Sequence, residues 1–228
     1  MDYRLGDQQN TTFVGCPTEV TSNKTSTDYD IDRPLNVSKG PLMSLSWPAT
    51  VSHRIDEVIR LYTSATAIKD GYGNVLSYGQ LADRMNTIAK KLLDVGAGEG
   101  TPVAVFQEPS ADWMSSMLAI IRICAIYIPL GLKDGLKRIS GSINVAHPEL
   151  VLIDQWALAQ SRELHLPQEQ LINVSNVEPV EDCAETPNLA KANSTAVVLF
   201  TSGSTGVPKG IVLPHSCFAT HAEGTEKA

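Results

Sequence analysis

No apolar run in this chain approaches the roughly 20 residues that a membrane-crossing helix needs. The opening Met1-Asp2-Tyr3-Arg4 lacks the apolar stretch of a secretory signal, so the expected setting is cytoplasmic. Cysteine is sparse. The four, at positions 16, 124, 183 and 217, form no CxxC pair, which leaves a zinc or dithiol motif without support and predicts reduced thiols. The five histidines make no HxxH or HExxH pair, so a metal held by side chains alone is not expected. No Gly-x-Ser-x-Gly elbow is present, and a hydrolase triad has no anchor. Basic charge is scarce too. The net charge is −7 and no Lys/Arg cluster occurs, which argues against nucleic acid or an anionic membrane as partner.

What the chain does have is concentrated between residues 200 and 210: Phe-Thr-Ser-Gly-Ser-Thr-Gly-Val-Pro-Lys-Gly. Hydroxyl residues alternate with glycines, and one lysine follows. A polyphosphate needs backbone N–H groups that it can approach closely, hydroxyl donors, and a fixed cation. Glycine allows the approach because it has no Cβ. The flanking runs Ala196–Phe200 and Ile211–Leu213 are short, apolar and partly β-branched, and both predict strands. The loop therefore joins strand to strand. A Walker A loop requires Gly-Lys-Ser/Thr opening a helix. Here Pro208 stands at the second glycine position and Gly210 follows Lys209, so that reading fails.

Periodicity organises the rest. Residues 1–46 are rich in Thr, Ser, Asn and Asp and predict an irregular segment. Ile55, Val58, Ile59 and Tyr62 then mark an amphipathic helix. A strand–turn–strand hairpin is predicted around Gly71–Asn74, followed by a helix that Ser77 caps with Gln80 in a capping box and that Gly96 terminates. Strands at 102–106, 126–129, 150–153 and 171–174 alternate with helices opening at Ser110 and around Leu136. Gly135 and Gly141 weaken the latter. Residues 176–194 are acidic and polar and predict a loop or linker. Strands alternating with helices give an α/β domain with a largely parallel sheet, expected over 47–228.

The Thr-Ser-Gly-Ser-Thr-Gly-Val-Pro-Lys-Gly run resembles the phosphate-binding signature of adenylate-forming (AMP-binding) enzymes. Leu76-Ser77-Tyr78-Gly79-Gln80-Leu81 and Ile121–Gly131 resemble two earlier adenylation motifs, in the same order. Two departures stand in the second: Cys124 where glycine is usual and Gly131 where aspartate is usual. Trp47-Pro48, Lys69–Leu76 and Val105–Pro109 look most like adenylation domains of fungal hybrid polyketide synthase–nonribosomal peptide synthetases. In residues 1–46 a few positions resemble the end of a condensation domain, without its catalytic signature.

The resemblance implies ATP and Mg²⁺ as cofactors, with Thr201, Ser202, Gly203, Ser204, Thr205, Gly206 and Lys209 lining the phosphates. It implies a small carboxylic or amino acid as substrate, in secondary metabolite biosynthesis, and a phosphopantetheine carrier as partner. Histidine is common in the family at the position of His215, and a helix-start surface histidine is the plain alternative. The family's catalytic lysine and its amine-, adenine- and ribose-binding segments lie beyond this loop. The expectation is thus an incomplete N-terminal portion of that fold with no complete catalytic set and no adenylation alone. Completion by a second polypeptide, a catalytically silent nucleotide-binding scaffold, and a degenerate synthetase remnant remain as alternatives.

Overall fold

The computed structural model describes residues 46–180, 183–201 and 208–226. The predicted irregular segment up to residue 46 therefore lies almost wholly outside the described residues.

Helix α1 (Val51–Tyr62) starts where the Thr50 hydroxyl accepts the His53 N–H. A hairpin of β1 (Thr66–Lys69) and β2 (Val75–Ser77) follows. Its turn is built on one carboxylate: Asp70 accepts the N–H groups of Tyr72 and Asn74 and the Asn74 side-chain amide. Helix α2 (Tyr78–Asp94) opens with the predicted capping box of Ser77 and Gln80. It ends in a Schellman motif in which Gly96 N–H reaches Leu93 O and Ala97 N–H reaches Leu92 O. Gly96 has φ +90°, which the absence of a Cβ permits.

Helix α3 (Ala111–Arg122), capped by Ser110, closes in the same way, with Cys124 N–H to Ile121 O and Ala125 N–H to Ile120 O. Cys124 occupies the left-handed position at φ +60°. This is the physical reason that glycine suits that site, and here a buried cysteine holds the conformation instead.

The main sheet has six strands in the order β6-β5-β3-β4-β7-β8. Strands β3 (Pro102–Phe106), β4 (Ile126–Pro129), β5 (Leu150–Ile153), β6 (Leu171–Asn173) and β7 (Thr195–Thr201) run parallel, and β8 (Lys209–Pro214) is antiparallel to β7. Alternate residues of single strands enter different cores. Val103, Val105, Tyr127, Leu152 and Val197 face the side covered by α1, α2 and α3. Ala104, Phe106, Ile126, Ile128, Val151, Ile153 and Val198 face the other side, with α4 (Leu136–Ala146). Burial on both faces is why these strands read as unbroken apolar runs. Each fully buried Ile or Leu contributes about 1.5–3 kcal/mol.

Three expectations are modified. The interval between residues 154 and 171, read without elements, carries α5 (Leu158–Glu163). Among its described residues the 176–194 segment forms no strand or helix after Asn176, as a loop should, yet it is held in place by distant partners. Buried Arg122 donates to Thr186 O and Glu185, Leu189 N–H donates to Arg122 O, and Thr186 N–H donates to Asn86 Oδ1. Among the described cysteines, Cys124 and Cys183 are free and Cys217 is disulfide-bonded, so the expectation of reduced thiols does not hold for Cys217.

Candidate functional site

In a parallel sheet the connections at the carboxyl ends of the strands carry ligand sites, because those loops are free of the packing that holds the strands. At this edge lie Gln107 and Glu108 after β3, Asp154 after β5 and Thr201 at the end of β7. Asp154 ties the edge together. One carboxylate oxygen accepts the Glu108 N–H at 2.7 Å and the other the Ala157 N–H at 2.7 Å. Beside it the Gln107 amide donates to Ile153 O at 3.3 Å, and its buried carbonyl oxygen has no protein partner.

The β7–β8 hairpin brings two predicted phosphate contacts to this edge. Thr201 and Lys209 are the last cross-strand pair, both exposed, and the Thr201 hydroxyl donates to the Lys209 carbonyl at 3.4 Å. Ser202, Gly203, Ser204, Thr205 and Gly206 lie outside the described residues. The strand-to-strand reading of the loop is what the antiparallel pair displays. Pro208, just before Lys209, rests against α4: a Cβ built on Gly141 would come within 3.1 Å of its Cγ and Cδ.

His215 follows β8 at the start of α6 (His215–Glu226) and is fully buried, so it is not a surface histidine. Neither ring nitrogen has a protein partner. Burial first, and the charge of His53 second, push its imidazole down to about 4. Gly131 lies two residues past the end of β4, and the Asp134 carboxylate sits 2.9 Å from where its Cβ would be.

A second recess was not anticipated as a site, although Tyr72, Asn74, Leu76 and Gln80 in its lining fall within the motif stretches of residues 69–81. A groove of about 910 Å³ opens between the β1–β2 turn, the starts of α2 and α3, and the segments after β5 and β6. Tyr72 and Trp156 stack at its mouth with ring centroids 5.6 Å apart. On its wall, buried Arg84 grips both oxygens of Asp112 and also donates to the carbonyls of Val174 and Val177. The Asn74 side-chain amide, with the backbone N–H groups of Asn74, Ala111 and Tyr72, holds the Asp70 carboxyl down at about 2. Desolvation, then the hydrogen bond to Glu108, raises the Tyr72 phenol. The β5 end of this groove lies three strand positions from β7, roughly 14 Å from the Thr201–Lys209 pair.

The described residues contain no group of three His, Cys, Asp or Glu that could hold a metal ion. No helix among them is long and apolar enough to cross a membrane.

The family described as AMP-binding enzyme matches residues 55–227. The hybrid PKS-NRPS synthetase prlS of Fungal sp. (strain NRRL 50135) is 46% identical over 186 residues, which are 82% of this chain and 5% of that protein. Phm1 of Pyrenochaetopsis sp is 43% identical over 195 residues, 86% of this chain and again 5% of that protein. The chain therefore spans about one-twentieth of the curated relatives that it matches. Among solved structures, VinN superposes with a TM-score of 0.69 at 20% identity, covering 81% of this chain and 48% of that one. The N-terminal subdomain of Klebsiella oxytoca NpsA gives 0.64 at 20% identity, covering 73% and 42%. A fatty acyl-adenylate ligase from L. pneumophila, solved with acyl adenylate and pyrophosphate, gives 0.64 at 20% identity, covering 74% and 31%.

Proposed function

This chain belongs to the AMP-binding enzyme family, and we propose that it forms the phosphate-gripping part of an adenylation unit in a hybrid polyketide–peptide synthetase pathway. In the reaction, a carboxylate attacks the α-phosphate of ATP, giving an acyl-adenylate and pyrophosphate. The acyl group then passes to a phosphopantetheine thiol on a carrier. The roles assigned here are to Thr201, Ser202, Gly203, Ser204, Thr205, Gly206 and Lys209. Hydroxyls and backbone N–H groups accommodate the β- and γ-phosphates, and the Lys209 ammonium neutralises their charge.

The observation that carries this reading is the hairpin pairing of Thr201 with Lys209 at the sheet's ligand edge. Thr201 and Lys209 are both exposed there, and Lys209 brings the fixed cation that a polyphosphate needs, beside a hydroxyl that can exchange its 3.4 Å bond to the Lys209 carbonyl for one to phosphate. Mg²⁺ would be held chiefly through the nucleotide's own phosphates, since no acidic cluster occurs among the described residues. It would offset phosphate charge during the displacement. Substrate selection and complete turnover are assigned to the rest of an adenylation unit.

Calorimetric titration of the full chain with MgATP and with pyrophosphate tests the proposal. Both should bind, and Lys209→Ala should weaken binding about tenfold, the scale of one charge-assisted hydrogen bond. Wild-type protein that binds neither, or a Lys209→Ala protein that binds both equally well, overturns it. ATP–pyrophosphate exchange by this chain alone is expected to stay at background.

A further inference from the structure

We propose that Gly141 is a positioning residue for Lys209, acting through Pro208. The inference rests on the phosphate-binding reading above.

Gly141 lies in the interior of α4, where glycine is the least favourable residue after proline. Burial does not explain the choice. The core positions of this helix are Ile139, Ser142 and Ala146, and Gly141 stands about 200° around the helix from Ile139. Both atoms that a Cβ would meet there belong to Pro208, Cγ and Cδ, each at 3.1 Å. Gly135, in the same region, has nothing within 4 Å of a built Cβ. So the lack of a side chain at 141 answers to Pro208 and to nothing else described.

Pro208 is joined directly to Lys209, the first residue of β8, which pairs with Thr201. The ring of Pro208 fixes its own φ, so a push on the ring moves the start of the strand rather than a flexible tip. The other side of α4 packs on the body of the same hairpin, with Ile139 and Ile143 in the cluster that holds Phe200 of β7 and Val212 of β8. That packing holds the helix to the middle of the strands, so an added methyl group is relieved at the hairpin's near end, at Pro208. Gly141 lets α4 act as the seat against which the lysine-bearing end of the hairpin is set.

The test uses the ¹⁵N-labelled full chain with Gly141→Ala, and with Gly98→Ala as control, a glycine with nothing within 4 Å of its Cβ and no positive φ. Gly141→Ala should shift the Lys209 and Gly210 amide resonances, and Gly98→Ala should not. The thermal midpoint should hold or rise, because alanine favours the helix, while MgATP affinity falls about three- to tenfold through misplacement of the lysine. Pro208→Ala removes the two clashing atoms. Adding Gly141→Ala to it should then cost no further affinity. A merely structural role would move stability and affinity together and would show no such rescue. Unmoved Lys209 and Gly210 amides, or an unchanged affinity despite moved amides, overturns the inference. If the amides move but wild type binds no ATP, the positioning stands and the phosphate-binding reading fails.

Discussion

At the scale of single residues, His215 shows how burial sets chemistry. A neutral imidazole is kept where both nitrogens lack protein partners, and burial pushes it down to about 4. In the unfolded chain the same group titrates near 6.5. Between these values the unfolded state takes up a proton that the folded state refuses. The site's contribution is therefore fully present above about pH 6.5 and declines as pH falls towards 4, by up to about 3 kcal/mol. Urea unfolding from pH 7 to 4 should show this slope, and His215→Leu should flatten it. An equal slope in both proteins would mean that other groups carry the acid sensitivity. Cys124 is the complementary case. It keeps the left-handed backbone of a helix terminus at φ +60° although its Cβ disfavours it. The Schellman hydrogen bonds and complete burial hold it there.

At the scale of elements, the C-terminal end of α3 is tied to its surroundings by Arg122. Arg122 is 1% exposed and pairs with Asp56 on α1, 19% exposed, and with Glu185, 76% exposed. The two pairs should differ in worth. A solvated carboxylate contributes little, since water and salt screen it. A buried guanidinium that loses its hydrogen bonds, or vacates the space between α1, α3 and the 185–189 strap, costs much more. Denaturant midpoints should show Arg122→Ala losing about 3 kcal/mol and Glu185→Ala losing less than about 0.5 kcal/mol. Comparable losses would place the energy in the exposed pair instead. The existence of most elements was legible in sequence because each carries a local signature. Ser77 and Gln80 announce α2, Gly96 ends it, and Ser110 opens α3. Helix α5 was missed because its six residues hold a single fully buried side chain, Ser161, and so show no apolar stripe. The 176–194 segment read as a loop or linker, and its fixed placement was not legible because it comes from distant partners, Arg122 and Asn86, not from its own pattern.

At the scale of the molecule, one sheet serves two cores. Val105 and Phe106 are neighbours in β3 yet belong to opposite layers. Loss of either layer exposes strands that the other needs, so the layers should not unfold separately. Near- and far-ultraviolet dichroism of the full chain should report one coincident thermal transition. Two separated transitions would show that the layers are independent units.

The sequence by itself determined the family, the alternation of strands and helices, and the strand-to-strand setting of the loop before Lys209. These follow from short-range patterns: apolar runs, caps, and a motif read residue by residue. Only the tertiary structure decided that His215 is buried, that the Asp134 carboxylate lies over Gly131, and that Gly141 faces Pro208. It alone opened the groove beneath Tyr72 and Trp156, two side chains 84 residues apart. The physical reason is common to all four. Burial, close approach and stacking depend on what packs against a residue, whether three positions away like Asp134 or 84 away like Trp156, and a local pattern encodes which side of an element is apolar but not what comes to lie against it.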